Sequence, residues 1–103
     1  MIAGAEPPTA VICGNDVLAI GAIAECHALG LRVPEDVSVT GFDDMELAGM
    51  MNPALTTMRF PTAELGSYAA DHLLMRLKGR AVDLRCKLPT ELVVRDSAAP
   101  PPR

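Results

Sequence analysis

Two short apolar runs, Ala10 to Gly14 and Val37 to Phe42, flank a helical stretch that closes at Gly30, and that order leaves few folds open. A continuously apolar strand is one covered on both faces, as in parallel sheets. Asn15 and Asp16 stand between the first run and the stretch "VLAIGAIAECHALG", where a helix N-cap belongs, and Gly30 supplies the stop. A strand, a helix and a second strand joined by short loops make a right-handed parallel crossover. The expected fold class is therefore α/β, a parallel sheet with flanking helices, not a bundle or a sandwich.

The remainder continues the alternation. "MELAGMMNPALTT" reads as a short helical stretch ended by Pro53, followed by an extended piece from Leu55 to Phe60. Pro61 and Thr62 open a second long helix in which Leu65, Ala69, Leu73 and Leu77 recur every four residues until Gly79 stops it. A final strand lies in "LPTELVVR", and the Pro-rich segment 98–103 reads as a disordered tail. The first helix carries no charge between Val17 and Ala24, so it is either covered on both sides or part of a subunit interface.

Half of the residues are hydrophobic and only 3% aromatic, so the core must be built from Ala, Val, Leu, Ile and Met. Nine bases against thirteen acids give a net charge of -4 with no dense basic cluster, which argues against nucleic-acid binding by this chain alone. Cys13, Cys26 and Cys86 lack both disulfide-framework and zinc-ligand spacing and read as buried free thiols of a reducing compartment. Neither a signal peptide nor a membrane-length apolar run is recognisable, so a cytoplasmic protein without a membrane partner is expected.

In parallel α/β sheets ligands bind beyond the carboxyl ends of the strands, where helix N-termini and loops converge. Asn15 and Asp16 follow the first strand and Asp43 and Asp44 the second, so all four belong to one sheet edge. Carboxylates accept hydrogen bonds and an amide both donates and accepts, a set suited to sugars or nucleosides. Asn15 and Asp44 have a plainer reading as caps of the helices that follow them. Asp43 is harder to explain that way. Asp43, Asp44 and Glu46 could together hold a hard cation, but such sites recruit ligands from more than one loop. Neither a metal nor a cofactor is expected. Ser38, Ser67 and Ser97 lie in no GxSxG elbow, His27 and His72 have no partner at a telling spacing, and no GxGxxG or P-loop occurs. No catalytic residue is assigned, and the chain does not read as an enzyme.

The run "PTAVICGNDVLAIGAIAECHALGLRVPEDVSVTGFDDMELAGMMNPALTTMRFPTAELG", with "LPTELVVRDS" near the end, closely resembles the distal part of the effector-sensing domain of LacI/GalR-type transcriptional repressors. The resemblance spans Pro8 to Ser97 in collinear order. It implies a periplasmic-binding-protein-like (type I) sensor fold, two α/β subdomains around a small-molecule cleft. Residues 1–97 would be a partial effector-binding and dimerisation domain, with 1–57 mainly in one subdomain and 58–90 mainly in the other. By similarity, Asp43 contacts a sugar or nucleobase-like effector and Asn15 is a second contact, with Asp16 and Asp44 as weaker candidates. Val17, Leu18, Ile20, Ala24, Met45, Leu47, Met50 and Met51 fall where family members pair, which implies a homodimer or a higher homo-oligomer. The family's helix-turn-helix lies outside these residues, so operator DNA is a partner only through an N-terminal domain that this chain lacks. A periplasmic sugar-binding protein shares the fold and is the main alternative, and a stand-alone dimerisation module is another.

Overall fold

The computed structural model describes residues 5–103. The elements run β1 (Ala10–Ile12), α1 (Asp16–Ala28), β2 (Ser38–Thr40), α2 (Glu46–Met50), β3 (Thr57–Arg59), α3 (Thr62–Leu77) and β4 (Glu91–Val93). β1 and β2 pair in parallel, with Val11 opposite Val39, and Thr40 makes a further parallel bridge to Thr56. The crossover through α1 is thus the α/β unit that the two apolar runs imply. The ladder stops after three residues, yet the Cys13 amide prolongs it with a bond to the Thr40 carbonyl at 2.9 Å, and the Gly41 amide extends the Thr40–Thr56 bridge with a bond to the Thr56 carbonyl at 3.0 Å. β3 pairs with β4 in a second two-stranded ladder.

The chain divides into two compact units, Met1–Arg59 with Leu92–Arg103, and Phe60–Glu91. In the first, α1 turns Asp16, Ala19, Ile23 and Cys26 inward, a helical spacing that meets Val33, Val37, Val39, Ala48 and Leu55. This core contains no aromatic ring, as the composition requires. The opposite face of α1 is uncovered within the chain, with Val17 59% and Leu18 58% exposed. α1 ends at Ala28, and Gly30 takes a left-handed φ of 75° while its amide caps the His27 carbonyl. Arg32 and Asp36 clasp the connection to β2 through three hydrogen bonds of 2.8 to 2.9 Å, and the guanidinium holds the Asp36 carboxyl down to about 2.

The segment after β4 is more firmly held than its composition suggests. Ser97 is fully buried: its hydroxyl donates to the Val39 carbonyl at 2.6 Å and accepts from the Thr56 amide at 2.9 Å. Ala99 exchanges two 3.0 Å hydrogen bonds with the Ser38 hydroxyl. The tail expected from residue 98 is thus held at its start, where Ser97 and Ala99 bond to Val39 and Ser38 of β2. Ser97→Ala leaves the Thr56 amide without a partner in the interior and should lower stability by about 2 kcal/mol in urea unfolding. A variant as stable as the parent would show that Ser97 merely fills space.

In the second unit α3 buries none of its residues. Leu65, Leu73 and Leu77, whose spacing marks an apolar stripe, are all exposed, Leu77 by 74%. Tyr68 and His72 meet edge to face at 5.5 Å between ring centres. Gly79, with φ of 73°, ends the helix. Cys26 is buried and Cys13 half-buried, and burial pushes both thiols up from their ordinary range. Cys86 is exposed, which corrects the expectation of three buried thiols. Among the described residues no helix is long and apolar enough to cross a membrane.

Candidate functional site

The carboxyl end of β2 runs into two consecutive residues in the left-handed region, Asp43 at φ of 116° and Asp44 at 54°. Side chains other than glycine avoid this region, and each such residue costs about 1 to 3 kcal/mol unless its surroundings over-determine it. Three successive amides do so here. That of Asp43 donates to the Met58 carbonyl at 3.0 Å, that of Asp44 to the Thr57 hydroxyl at 3.4 Å, and that of Met45 to the Asp16 carboxylate at 2.7 Å. The loop is thereby folded over the start of β3 and tied to the first turn of α1, whose Asp16 amide donates to the Phe42 carbonyl at 2.9 Å. The two polar pairs after β1 and β2 therefore do share one edge.

Their four side chains have different environments. Asn15 is the N-cap of α1, its Oδ1 accepting from the Leu18 amide at 2.8 Å, which leaves its side-chain amide free to donate. Asp16 is completely buried, and its second oxygen accepts from the Thr57 hydroxyl at 2.6 Å. It holds the site together from inside, so its place among the weaker ligand candidates is corrected: no surface remains for a ligand to touch. Asp44 accepts from Arg59 Nε and from Arg95 Nη2, both at 2.7 Å, and its side chain is 10% exposed. These guanidiniums, Arg59 foremost, hold its carboxyl below the ordinary range against the opposing effect of burial. Asp44 does not cap α2, which starts from Met45 without a side-chain cap. With both oxygens committed to arginines it is also a poor member of a cation site, and the described residues contain no cluster of His, Cys, Asp or Glu that could hold a metal.

Asp43 is what remains. It is half-buried, and among the described residues its carboxylate has no hydrogen-bond partner. Thr57, Met58, Arg59 and Arg95, which build the loop's surroundings, were not singled out from the sequence. Their only signal is polar or charged residues within or just after apolar strand patterns, a common feature of edge strands.

The apolar residues named for pairing divide as well. Val17, Leu18, Ala24, Met45, Leu47 and Met50 are exposed, whereas Ile20 is half-buried and Met51 packs partly against the core.

With this geometry in hand, the likeness to known proteins is specific. The family described as periplasmic binding protein-like domain matches residues 1–98. The transcriptional repressor PurR of Vibrio vulnificus is 46% identical over 93 residues, which cover 89% of this chain and 28% of that protein. A LacI family transcriptional regulator from Bifidobacterium animalis subsp. lactis superposes with a TM-score of 0.87 at 32% identity, over 97% of this chain and 37% of its own. The transcriptional regulator CelR, solved in complex with cellobiose, gives a TM-score of 0.80 at 36% identity, over 87% of this chain and 28% of its own. The chain thus spans little more than a quarter of the length of the curated relatives it matches. These relatives are regulators, not enzymes. The chain belongs to the periplasmic-binding-protein-like domain family, as a portion of the sensor domain of a LacI/GalR-type regulator.

Proposed function

We propose that the chain supplies one wall of the effector site of a LacI-type transcriptional repressor, where Asp43 and the side-chain amide of Asn15 hydrogen-bond a sugar. The observation that carries this reading is the Asp43 carboxylate, half-buried, unpartnered among the described residues and set on strained backbone at the carboxyl edge of the parallel strands. Strain of that kind persists where a site needs a group aimed at a ligand. A carboxylate and an amide on one sheet edge suit a ligand rich in hydroxyls, each of which both donates and accepts. The cellobiose complex of CelR supports a sugar as the class.

In this reading residues 1–57 and 58–90 belong mainly to different subdomains, and the protein works in the cytosol. Operator DNA is bound by a segment other than this one. The exposed faces of α1 and α2, with Val17, Leu18, Leu47 and Met50, pair with a second copy. Sedimentation equilibrium tests the pairing, and a monomer at micromolar concentration overturns it.

The effector assignment is tested by calorimetric titration of the full-length regulator with a panel of mono- and disaccharides, cellobiose among them, and with nucleobases as competitors. Asp43→Ala should weaken the sugar that binds by about 1.5 to 3 kcal/mol, the size of a hydrogen bond to a charged group. Parental affinity in that variant removes Asp43 from the site, and binding of a nucleobase alone removes the sugar.

A further inference from the structure

We propose that Asp44, held by Arg59 and Arg95, is a positioning residue that keeps Asp43 in its left-handed conformation and ties it to both strands through which the chain passes between its two units. The proposal rests on the assignment of Asp43 to the effector site.

Two adjacent side-chain-bearing residues with positive φ do not stay there on local preference. The backbone bond next to Asp44 is the weakest of the three that fix the loop, 3.4 Å from its amide to the Thr57 hydroxyl. Its side chain makes the strongest contacts, two charge-assisted bonds of 2.7 Å. Arg95 is itself locked before it reaches Asp44. Its Nη1 donates to the Leu55 carbonyl at 2.9 Å and its backbone amide to the Thr56 hydroxyl at 2.9 Å. A guanidinium with one edge on a carbonyl and the other on a carboxylate fixes the distance between them.

The placement of the arginines along the chain gives the clamp its second property. Arg59 is the last residue of the first unit before the chain passes into Phe60–Glu91, and Arg95 follows soon after the chain returns at Leu92. Asp44 therefore grips the outgoing and the returning strand at once, while its neighbour carries the free carboxylate. An effector bonded to Asp43 bears on both connections through one side chain. Ion pairs kept only for stability need no such address.

The arginines are unequal, since the Arg95 side chain is 21% exposed and that of Arg59 51%. Solvent screens the exposed Arg59 pair, so Arg95 is the principal partner in holding the loop, although Arg59 does more to lower the Asp44 carboxyl. Amide hydrogen exchange, followed residue by residue in the full chain, tests this with Asp44→Asn, Arg95→Gln, Arg95→Lys and Arg59→Gln. The amides of Asp43, Asp44 and Met45 should exchange at least about tenfold faster in Asp44→Asn and Arg95→Gln, while those of α1 and β2 stay near parental rates. Arg95→Lys should recover part of the protection, and Arg59→Gln, at the exposed position where folding is least at risk, should show a smaller acceleration of the same amides.

Unchanged exchange at these three residues overturns the proposal, as does a uniform acceleration across α1 and β2, which marks the ion pairs as stabilising only. In the full-length regulator the same variants should lose affinity for the sugar found by titration about tenfold. Faster loop exchange with parental affinity leaves the clamp standing and sinks the assignment of Asp43 to the effector site, so the two failures are distinguishable.

Discussion

Asp16→Ala should lower the stability of the fold by about 3 to 5 kcal/mol, measured as a shift of the urea midpoint at unchanged slope. The side chain is completely inaccessible, and both of its oxygens are used, one by the Met45 amide at 2.7 Å and one by the Thr57 hydroxyl at 2.6 Å. Its removal strands the buried Thr57 hydroxyl and the part-buried Met45 amide, each costing about 1 to 3 kcal/mol with the amide toward the lower end. It also takes a carboxylate from the first turn of α1, where the helix dipole favours one by about 0.3 to 1 kcal/mol. The donors belong to separate parts of the chain, the loop after β2 and the start of β3, so no small rearrangement re-pairs both. Asp16→Asn keeps the shape but turns a donor toward one of them, and should lie between parent and Ala variant. An Ala variant within about half a kcal/mol of the parent would show that water replaces the carboxylate and that Asp16 is dispensable.

Asp16 also shows where reading from sequence stops. The apolar runs, the cap before α1 and the glycine after it are local signals, and they suffice for the crossover and for the edge at which Asn15, Asp16, Asp43 and Asp44 gather. They do not separate the four. What separates them is remote in the chain: Thr57 bonds Asp16 across 41 positions, and Arg95 bonds Asp44 across 51. No periodicity encodes such partners. Only Asn15, whose partner Leu18 is three residues away, was open to assignment from its own neighbourhood, as a cap. Ser97 has the same character, since a serine before a Pro-rich end looks like part of a tail until Val39 and Thr56 are found against it. In α3 the four-residue spacing of leucines announces an apolar stripe correctly, but a stripe does not say what covers it, and the chain buries none of it.

Gly41→Ala should be nearly as damaging as Asp16→Ala, with a loss of about 2 to 3 kcal/mol, and for a purely spatial reason. Gly41 does not have a positive φ, so its backbone suits any residue. A methyl group there, however, overlaps the Asp16 carboxylate and stands 3.1 Å from both Asp16 Cα and Leu55 Cδ2. None of these can withdraw cheaply. The carboxylate is pinned by Met45 and Thr57, the Cα belongs to the first turn of α1, and Leu55 is fully buried in the core. Relief requires lifting α1 from β2 or turning Asp16 aside, and turning it aside releases the Met45 amide and with it the loop that carries Asp43. The two substitutions should therefore not add. On an Asp16→Ala background the worst overlap is already gone, and Gly41→Ala should cost at least about 1 kcal/mol less than it does alone. Strict additivity in that cycle, or a Gly41→Ala variant that unfolds at the parental urea concentration, would mean that α1 and β2 are not pressed together at this point. Coupling of the expected sign would make the close approach of Gly41 to Asp16 the contact that sets how this edge of the sheet is built.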